Sequence, residues 1–398
     1  MVIYGITLTN NYFTNHRKVV VTVFFIVSIK LLISIINNYY IIMYGASDDS
    51  ARFVHDASNI VLLDRPINLL ITGSSGFINF LAFIYKNVGI STFTSQNISI
   101  LVMVISYIFL MKLTRLLNKE KYNVPVLILF SLQPATLIYT SITMREPYQI
   151  LFFLMTTYYV LIMVKNNKFN IIVFNKFLIS ATILGMLHNG LLAFSLLLIL
   201  IGISSLIPKN AGNLRLLLIC VIALLLIPIT IVTFSVFNIS TGASNALLSG
   251  NIVNYTVDYR DGGGIADSSA SYHAVFDTTN AITMILSGIT MFLNYMFAPF
   301  PWQIRGPIDL IAICENTIRI FLIIGAFKAY KSINLQEAIY KRMYKYTILL
   351  YFTMELLWAL GTVNWGTAIR HHLIPYGLVV ILGVEWFMGV VYKVSSGK

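Results

Sequence analysis

The sequence is poor in charged residues and in cysteine. Asp, Glu, Lys and Arg together supply 11% of the 398 residues, whereas soluble globular proteins carry about 25%. This shortage argues against an ordinary soluble domain. The two cysteines, Cys220 and Cys314, both lie in apolar runs, which argues against a disulfide framework.

Long apolar runs dominate the chain instead, with 58% hydrophobic residues and a mean hydropathy of +0.81. Only helices and closed barrels can span lipid. Continuous apolar runs of about 20 residues have the length of a membrane helix rather than that of a shorter, alternating strand. We therefore predict an all-α polytopic membrane protein in which residues 1–398 form a single integral membrane domain.

About ten transmembrane helices and two additional apolar helices are predicted. The predicted spans are 19–43, 97–114, 123–141, 148–164, 170–187, 189–207, 214–236, 307–327, 345–361 and 373–392, and the ambiguous apolar stretches are 76–90 and 281–299. Arg17 and Lys18 precede a first run that is too long for a signal-peptide core. We interpret that run as a retained first span.

The basic residues orient these spans. If the ten spans cross and the two ambiguous stretches do not, most Lys and Arg residues fall on the side of both termini, which the positive-inside rule makes cytoplasmic. We therefore interpret 76–90 and 281–299 as re-entrant or surface-lying helices on the outer side. The alternative is that one of them crosses. The predicted outer loops are 44–96 and 237–306.

Charge and motif content restrict the partners. A net charge of +12 would indicate nucleic-acid binding in a soluble protein, but here the basic residues mark cytoplasmic loops, so no nucleic-acid partner is expected. The inner connections are short and hold no glycine-rich phosphate loop, which argues against a nucleotide as direct substrate. Most of the 15 acidic residues fall on the outer side, and we place the site there.

Asp48 and Asp49 follow the first span and are the predicted catalytic residues. Adjacent carboxylates there can act as a general base or bind an acceptor hydroxyl. The alternative is a solvated loop in which Asp49 caps a helix that starts at Ser50.

Two more polar groups interrupt the apolar runs. Arg145 and Glu146 precede Pro147 at a predicted helix–helix turn, where Glu and Pro suit the first turn of the next helix. Arg145 is left to bind an anion, which is either a phosphate or a protein carboxylate. His188 lies between two apolar runs, and it either faces a functional interior or is satisfied by a nearby carbonyl.

The last two outer segments add cations. Arg305 follows a proline-rich turn, and Arg370, His371 and His372 lie in a predicted loop, 364–372, closed by Pro375. Metal binding is not expected, because adjacent histidines point in different directions and no metal-ligand spacing occurs. In the helix after Arg305, Glu315 and Arg319 are spaced to form an ion pair on one face.

Together these residues predict a charge-complementary outer site. Arg groups from distant loops would neutralise a leaving pyrophosphate, and a carboxylate would take the proton from an attacking sugar hydroxyl. The predicted substrate-binding residues are Arg145, Glu146, His188, Arg305, Arg370 and His371. The same charges would also serve a transporter that only binds and moves a lipid-linked anion.

Several short stretches carry a family resemblance. They are Ser47–Phe53, Gln133–Pro134 with Met144–Glu146, His188–Gly190, Ala298–Trp302 with Glu315, and Gly366–His371. In these stretches the chain resembles the Wzy-type oligosaccharide repeat-unit polymerases of O-antigen and capsule synthesis. More distantly, it resembles the GT-C glycosyltransferases, in which an acidic motif in the first outer loop precedes a surface-lying helix.

The resemblance implies a glycosyltransferase of the bacterial inner membrane, with both termini cytoplasmic and the active site facing the periplasm. It would transfer a growing glycan from undecaprenyl pyrophosphate to the terminal sugar of a new lipid-linked unit, without a cofactor. The implied partners are the undecaprenyl-pyrophosphate-linked oligosaccharide, membrane lipid and a chain-length regulator protein. The alternatives are an O-antigen ligase, a GT-C transferase that uses a polyprenyl-phosphate sugar, and a lipid-linked-oligosaccharide flippase.

Overall fold

The structure is a computed structural model. In the part of the chain that it describes, the regular elements are helices. The described residues are 5, 17–43, 45–166, 170–188, 190–191, 194–195, 198, 249, 251, 254, 257–258, 270–272, 277 and 279–395. Within these residues no strand is present, so the predicted all-α class is confirmed.

Twelve helices of six residues or more organise the described ranges. They are α1 (Arg17–Tyr39), α2 (Ala51–Leu62), α3 (Gly73–Val88), α4 (Thr92–Leu116), α5 (Asn123–Ser131), α6 (Pro134–Tyr139), α7 (Glu146–Asn166), α8 (Ile171–Leu187), α9 (Ala281–Phe297), α10 (Pro307–Ser332), α11 (Ala338–Gly361) and α12 (Trp365–Ser395). A five-residue π-helix, Ala46–Ser50, leads directly into α2.

Five of these helices, α1, α4, α7, α10 and α12, are long and apolar enough to cross a membrane. They correspond to predicted spans 19–43, 97–114, 148–164, 307–327 and 373–392, which confirms a helical membrane protein. The count of ten spans stays a prediction. Predicted span 214–236 and most of 189–207 lie outside the described residues, as does most of the loop between 237 and 280.

The predicted continuous span over 123–141 is wrong. Helix α5 ends at Ser131, and α6 begins only at Pro134, with Gln133 in extended backbone between them (φ −54°, ψ 127°). Pro134 has no N–H to continue the helix, and its ring disfavours helical backbone at Gln133. The result is a broken helix whose second half has six residues.

The predicted loop over 364–372 is also wrong, because α12 starts at Trp365 and Pro375 lies inside it. Asn364 begins the helix: its side-chain oxygen accepts the Thr367 N–H at 2.7 Å. A side-chain acceptor at this position satisfies a backbone donor that a helix start would otherwise leave unpaired. Arg370, His371 and His372 therefore stand on a rigid helix.

Helix α12 lies at the centre of the bundle and packs against α10, α11, α7 and the broken pair α5 and α6. The contact with α10 is the most intimate. A Cβ atom added to Gly383 would lie 2.1 Å from the Leu322 carbonyl oxygen, and one added to Gly325 would lie 2.7 Å from the Gly383 carbonyl oxygen. Small residues allow this approach of two membrane helices.

The ends of the bundle differ in charge. At one end, Lys119, Lys121 and Tyr122 all bind Glu385 of α12. Arg370 lies about 22 Å away along α12 at 1.5 Å per residue. We call these the Glu385 end and the Arg370 end. Helices α4 and α7 also run toward the Glu385 end and carry basic residues in their last turns.

Helices α2 and α3 form a hairpin beside the Arg370 end. The amphipathic α2 buries Phe53 and Ala57, and the Phe53 ring meets the Phe77 ring of α3 edge-on at 5.2 Å. Phe77 in turn packs on Tyr148 of α7 at 5.5 Å. The hairpin is therefore held against the start of α7.

Candidate functional site

The π-helix turns one of the two adjacent carboxylates inward. Gly45 precedes it with φ +78°, a backbone conformation that glycine adopts without steric penalty. A Cβ atom on Gly45 would lie 2.7 Å from Cε1 of Tyr139, so the chain passes directly over that ring. Asp48 is exposed, whereas the Asp49 side chain is 29% exposed and faces the bundle.

Arg370 joins Asp49 to Glu146. Its Nη1 lies 2.7 Å from Asp49 Oδ2, and its Nη2 and Nε lie 2.7 Å and 2.8 Å from Glu146 Oε1. Arg52, one helical turn after Asp49, binds the other oxygen of that carboxylate at 2.9 Å. Three sequence-distant segments are thereby tied together through one guanidinium.

Glu146 and Pro147 occupy the first turn of α7, as predicted. The Glu146 side chain is 4% exposed. Its Oε1 atom receives both bonds from Arg370, while Oε2 has no hydrogen-bond partner among the described residues. One buried acceptor therefore remains open.

Arg145 lies beside this network but takes part in none of its ion pairs. Its side chain is 9% exposed, its Nε has no hydrogen-bond partner, and it forms no salt bridge with any residue that the structure describes. Its guanidinium stands 5.4 Å from the centroid of the Phe53 ring. A buried guanidinium without a bound anion is costly, and among the described residues no carboxylate forms a salt bridge with Arg145.

Two histidines border the cluster. The ring of His371 stacks on Trp358 at 3.8 Å, and His188 meets the same Trp358 edge-on at 4.7 Å and His371 at 6.0 Å. Burial first, and then the charges of Arg145 and Arg370, lower the pKa of His188 to about 3. His188 is therefore neutral at physiological pH.

Hydrogen bonds define the tautomers of these rings. His188 Nδ1 accepts the Gly190 N–H at 3.1 Å, so the proton of the neutral ring is on Nε2. The Thr362 hydroxyl donates to the Trp358 carbonyl at 2.7 Å and must accept from His371 Nδ1 at 2.9 Å. His371 consequently keeps its lone pair on Nε2, and the two rings supply one donor and one acceptor.

The cluster carries an excess of positive charge. Three guanidiniums, Arg52, Arg145 and Arg370, face two carboxylates, Asp49 and Glu146. Burial acts to raise the pKa of the Asp49 carboxyl, but the hydrogen bond from Arg370 and the three arginine charges outweigh it and hold that pKa below its usual value. Asp49 is therefore ionised, and among the described residues the arginines of the cluster outnumber its carboxylates by one.

The structure thus brings together five of the predicted binding residues with one of the predicted catalytic pair. Asp49, Arg145, Glu146, His188, Arg370 and His371 form the cluster. Asp48 is exposed beside it. Arg305 is exposed before α10 and takes no part in the ion pairs of the cluster, although Asp309, which accepts from the Arg305 N–H, also binds Trp365 at 2.8 Å.

Several cluster residues were missed by the sequence analysis. Arg52 stands three residues after Asp49, a spacing that permits an ion pair in a helix and could have identified it. Tyr139, 5.7 Å below the Arg370 guanidinium, and Trp358 carried no sequence signal, because aromatic residues are abundant throughout the apolar runs.

Other buried polar groups lie apart from the cluster. His372 points away from His371, and its Nδ1 lies 2.8 Å from Glu355 Oε2, which also accepts a hydrogen bond from the Tyr295 hydroxyl at 2.8 Å. The predicted Glu315–Arg319 ion pair is not formed. Arg319 instead binds the Met296 carbonyl and the Asn316 side chain.

The arrangement can bind an anion at Arg145, present a carboxylate next to it and offer imidazole donors and acceptors from one side. Among the described residues, no group of three or more His, Cys, Asp or Glu side chains could hold a metal ion. Compared with protein-family models, curated proteins and solved structures, the chain gave no match.

Proposed function

We propose that this protein is a membrane glycosyltransferase that uses a polyprenyl-pyrophosphate-linked oligosaccharide as donor. In this proposal it polymerises repeat units on the outer face of the bacterial inner membrane, as the Wzy-type resemblance implies. The donor glycan is transferred to a hydroxyl of the terminal sugar of a second lipid-linked unit. The cluster around Arg370 is the active site.

The buried guanidinium of Arg145 is the observation that carries the proposal. Pyrophosphate is an anion with oxygens that suit guanidinium groups in forked geometry. It would bind at Arg145, which forms no salt bridge with a described carboxylate, and Arg370 stands next to it. In a water-poor site such donors stabilise the charge that develops on the leaving pyrophosphate.

Asp49 is proposed to bind the acceptor. While Arg370 and Arg52 hold its pKa low, the carboxylate is a weak base. A bound pyrophosphate would compete for the same guanidiniums and shield their charge, so the pKa of Asp49 would rise when the donor binds. Asp49 would therefore become an effective base only when the donor is bound.

The reaction balances through these groups. The bond between the donor's anomeric carbon and the pyrophosphate oxygen breaks, and its electron pair leaves on pyrophosphate at Arg145. A bond forms between that carbon and the acceptor oxygen. The acceptor proton passes to Asp49, with His371 Nε2 as the neighbouring lone pair.

The charge distribution supports an outward-facing site. Lys119, Lys121 and the basic last turns of α4 and α7 lie at the Glu385 end. Cytoplasmic loops are rich in Lys and Arg, which favours that end as the inner one. The Arg370 end would then face the periplasm, where lipid-linked repeat units are polymerised.

Deletion of the gene in a strain that makes long surface polysaccharide tests the proposal. A single repeat unit on the lipid core, seen on a glycolipid gel, supports the polymerase. Bare core with lipid-linked polymer accumulating identifies a ligase instead. Undecaprenyl-linked units retained on the cytoplasmic face identify a flippase. An unchanged polymer length distribution refutes the proposal.

Complementation with variants then tests the site. Arg145→Met and Asp49→Asn are expected to abolish long polymer, because one removes the anion contact and the other the acceptor contact. Arg145→Lys keeps the charge but loses the fork, so it should give partial activity. Asp48→Asn is the matched control and should retain full polymer length. Full length in both Asp49→Asn and Arg145→Met would rule out this active site.

A further inference from the structure

The short helix α6 is held at both ends by ionisable side chains from distant membrane helices. At its start, Glu315 of α10 accepts the Ala135 N–H at 2.7 Å. At its end, Lys30 of α1 donates to the Thr136 carbonyl at 3.4 Å and to the Thr140 hydroxyl. Lys30 is fully buried and Glu315 is 5% exposed.

The break between α5 and α6 explains why such side chains are needed there. Each helix end leaves backbone N–H or C=O groups without an intrahelical partner. Inside lipid no water satisfies them, and irregular backbone is tolerated only where protein groups do so. A carboxylate suits the free N–H groups of the start, and an ammonium suits the free carbonyls of the end. Glu315 provides this match at the start, where it accepts the Ala135 N–H. At the end, the Thr136 carbonyl already accepts the Thr140 N–H at 3.2 Å, so Lys30 adds a further donor that reinforces the last turn.

Helix α6 leads directly into the Arg370 cluster. Its last residue, Tyr139, contacts the turn at Gly45 that precedes Asp49, and its ring lies under the Arg370 guanidinium. The buried turn 140–145 follows and ends at Arg145. The position of α6 therefore determines where Arg145 stands and how closely Asp49 approaches Arg370.

We propose that Lys30 and Glu315 are positioning residues for the anion site. They touch neither the ion pairs of the cluster nor the proposed substrate, and they act by fixing α6 from both ends. The proposal rests on the proposed function for the identity of the anion, a pyrophosphate. The claim that these two side chains hold the turn 140–145 in place is independent of it.

A labelling experiment measures the position of the turn directly. Ser141 is fully buried in that turn, so Ser141→Cys, in a chain whose two native cysteines are replaced by Ser, should react slowly with a maleimide in detergent. Adding Lys30→Met or Glu315→Met, each of which removes the hydrogen-bonding group, should raise the labelling rate at least tenfold. Lys30→Arg should restore slow labelling, because it keeps a donor at the helix end.

Binding of pyrophosphate is the second measurement, made on the purified full chain with inorganic pyrophosphate and with farnesyl pyrophosphate. Lys30→Met and Glu315→Met should each weaken binding about tenfold or more. Glu385→Gln is the matched control: it breaks a charge network at the opposite end, so it should lower thermal stability while leaving both labelling and affinity as in the wild type.

The outcomes separate the two proposals. Slow labelling in both Lys30→Met and Glu315→Met overturns the positioning role, whatever the affinity. Fast labelling in a protein whose wild type binds no pyrophosphate supports the positioning role and counts against the proposed function. Fast labelling with unchanged pyrophosphate affinity would mean that α6 moves without moving Arg145, which overturns the proposed link to the anion site.

Discussion

Replacing Arg370 by Gln removes the one cation that two carboxylates share. The larger loss is expected at Glu146, whose 4% exposed side chain takes both of its hydrogen bonds from Arg370. Leaving such a buried charge without its partner costs about 3–5 kcal/mol. Asp49 is 29% exposed and keeps Arg52 at 2.9 Å, so its share is within about 1 kcal/mol.

Thermal unfolding of the purified protein in detergent measures this loss. At about 2 °C per kcal/mol, the lower end of the range for large domains, Arg370→Gln should reduce the Tm by about 6–10 °C. Asp49→Asn should reduce it by about 2 °C or less on the same scale. Arg65→Gln, at an exposed arginine that forms no salt bridge with any described residue, is the control and should change stability by no more than about 0.5 kcal/mol.

A double variant identifies the cause. If the loss comes from the stranded carboxylate, Glu146→Gln added to Arg370→Gln should recover most of the Tm, because it neutralises the orphaned charge. The two effects would then be strongly non-additive. A double variant no more stable than Arg370→Gln alone would refute the reasoning, since the loss would then come from packing of the Arg370 side chain.

The remaining predictions concern pH and backbone strain. Because the folded pKa of Asp49 is depressed, its ion pairs stabilise fully above about pH 4, and this contribution falls as pH drops through the folded value; the Tm difference between wild type and Asp49→Asn should therefore vanish in acid. His188, with a pKa of about 3, stays neutral in the fold, whereas the same side chain in the unfolded chain protonates near 6.5. Its contribution to stability should therefore fall below that pH by up to about 1.4 kcal/mol per unit, and the stability of His188→Gln should fall less steeply with acid than that of the wild type. Gly45→Ala should destabilise by more than the roughly 1–2 kcal/mol of its left-handed backbone, because it also meets Tyr139, whereas Gly89→Ala (φ +94°, with open space) should lose the backbone contribution alone, as urea-melt midpoints would report.

Much of the site was accessible from charge and position. In a chain so poor in charge, an Arg or Asp at the end of an apolar run is conspicuous, and six of the eight predicted site residues lie in one cluster. Pro134 is likewise visible in the sequence as a signal that α5 ends before it, although the predicted span 123–141 continued through it. Proline has a local, nearly context-free effect on backbone, and that effect decided the structure here.

The interior geometry was not accessible in the same way. The sequence does not show that Glu315 binds the start of α6 rather than Arg319, because the two residues have ideal spacing for a pair within α10. In the folded bundle the Ala135 N–H, which has no partner within its helix, lies 2.7 Å from the Glu315 carboxylate. Glu315 binds this N–H instead of Arg319. The loop expected over 364–372 failed for a related reason: polar residues at a helix start resemble a loop when the surrounding bundle is unknown.

The contact between Gly325 and Gly383 has a mechanical consequence. With backbone of α10 pressed against backbone of α12, neither helix can slide or roll past the other without collision between carbonyl oxygens and Cα atoms. Helices α10 and α12 therefore behave as one rigid unit, and this unit carries both Arg370 and Glu315. A motion that widens the cluster is easier on the opposite side, where the hairpin of α2 and α3 and the Gly45 turn carry Asp49. In such a motion the Asp49 carboxylate would move, while Arg370 would stay in place.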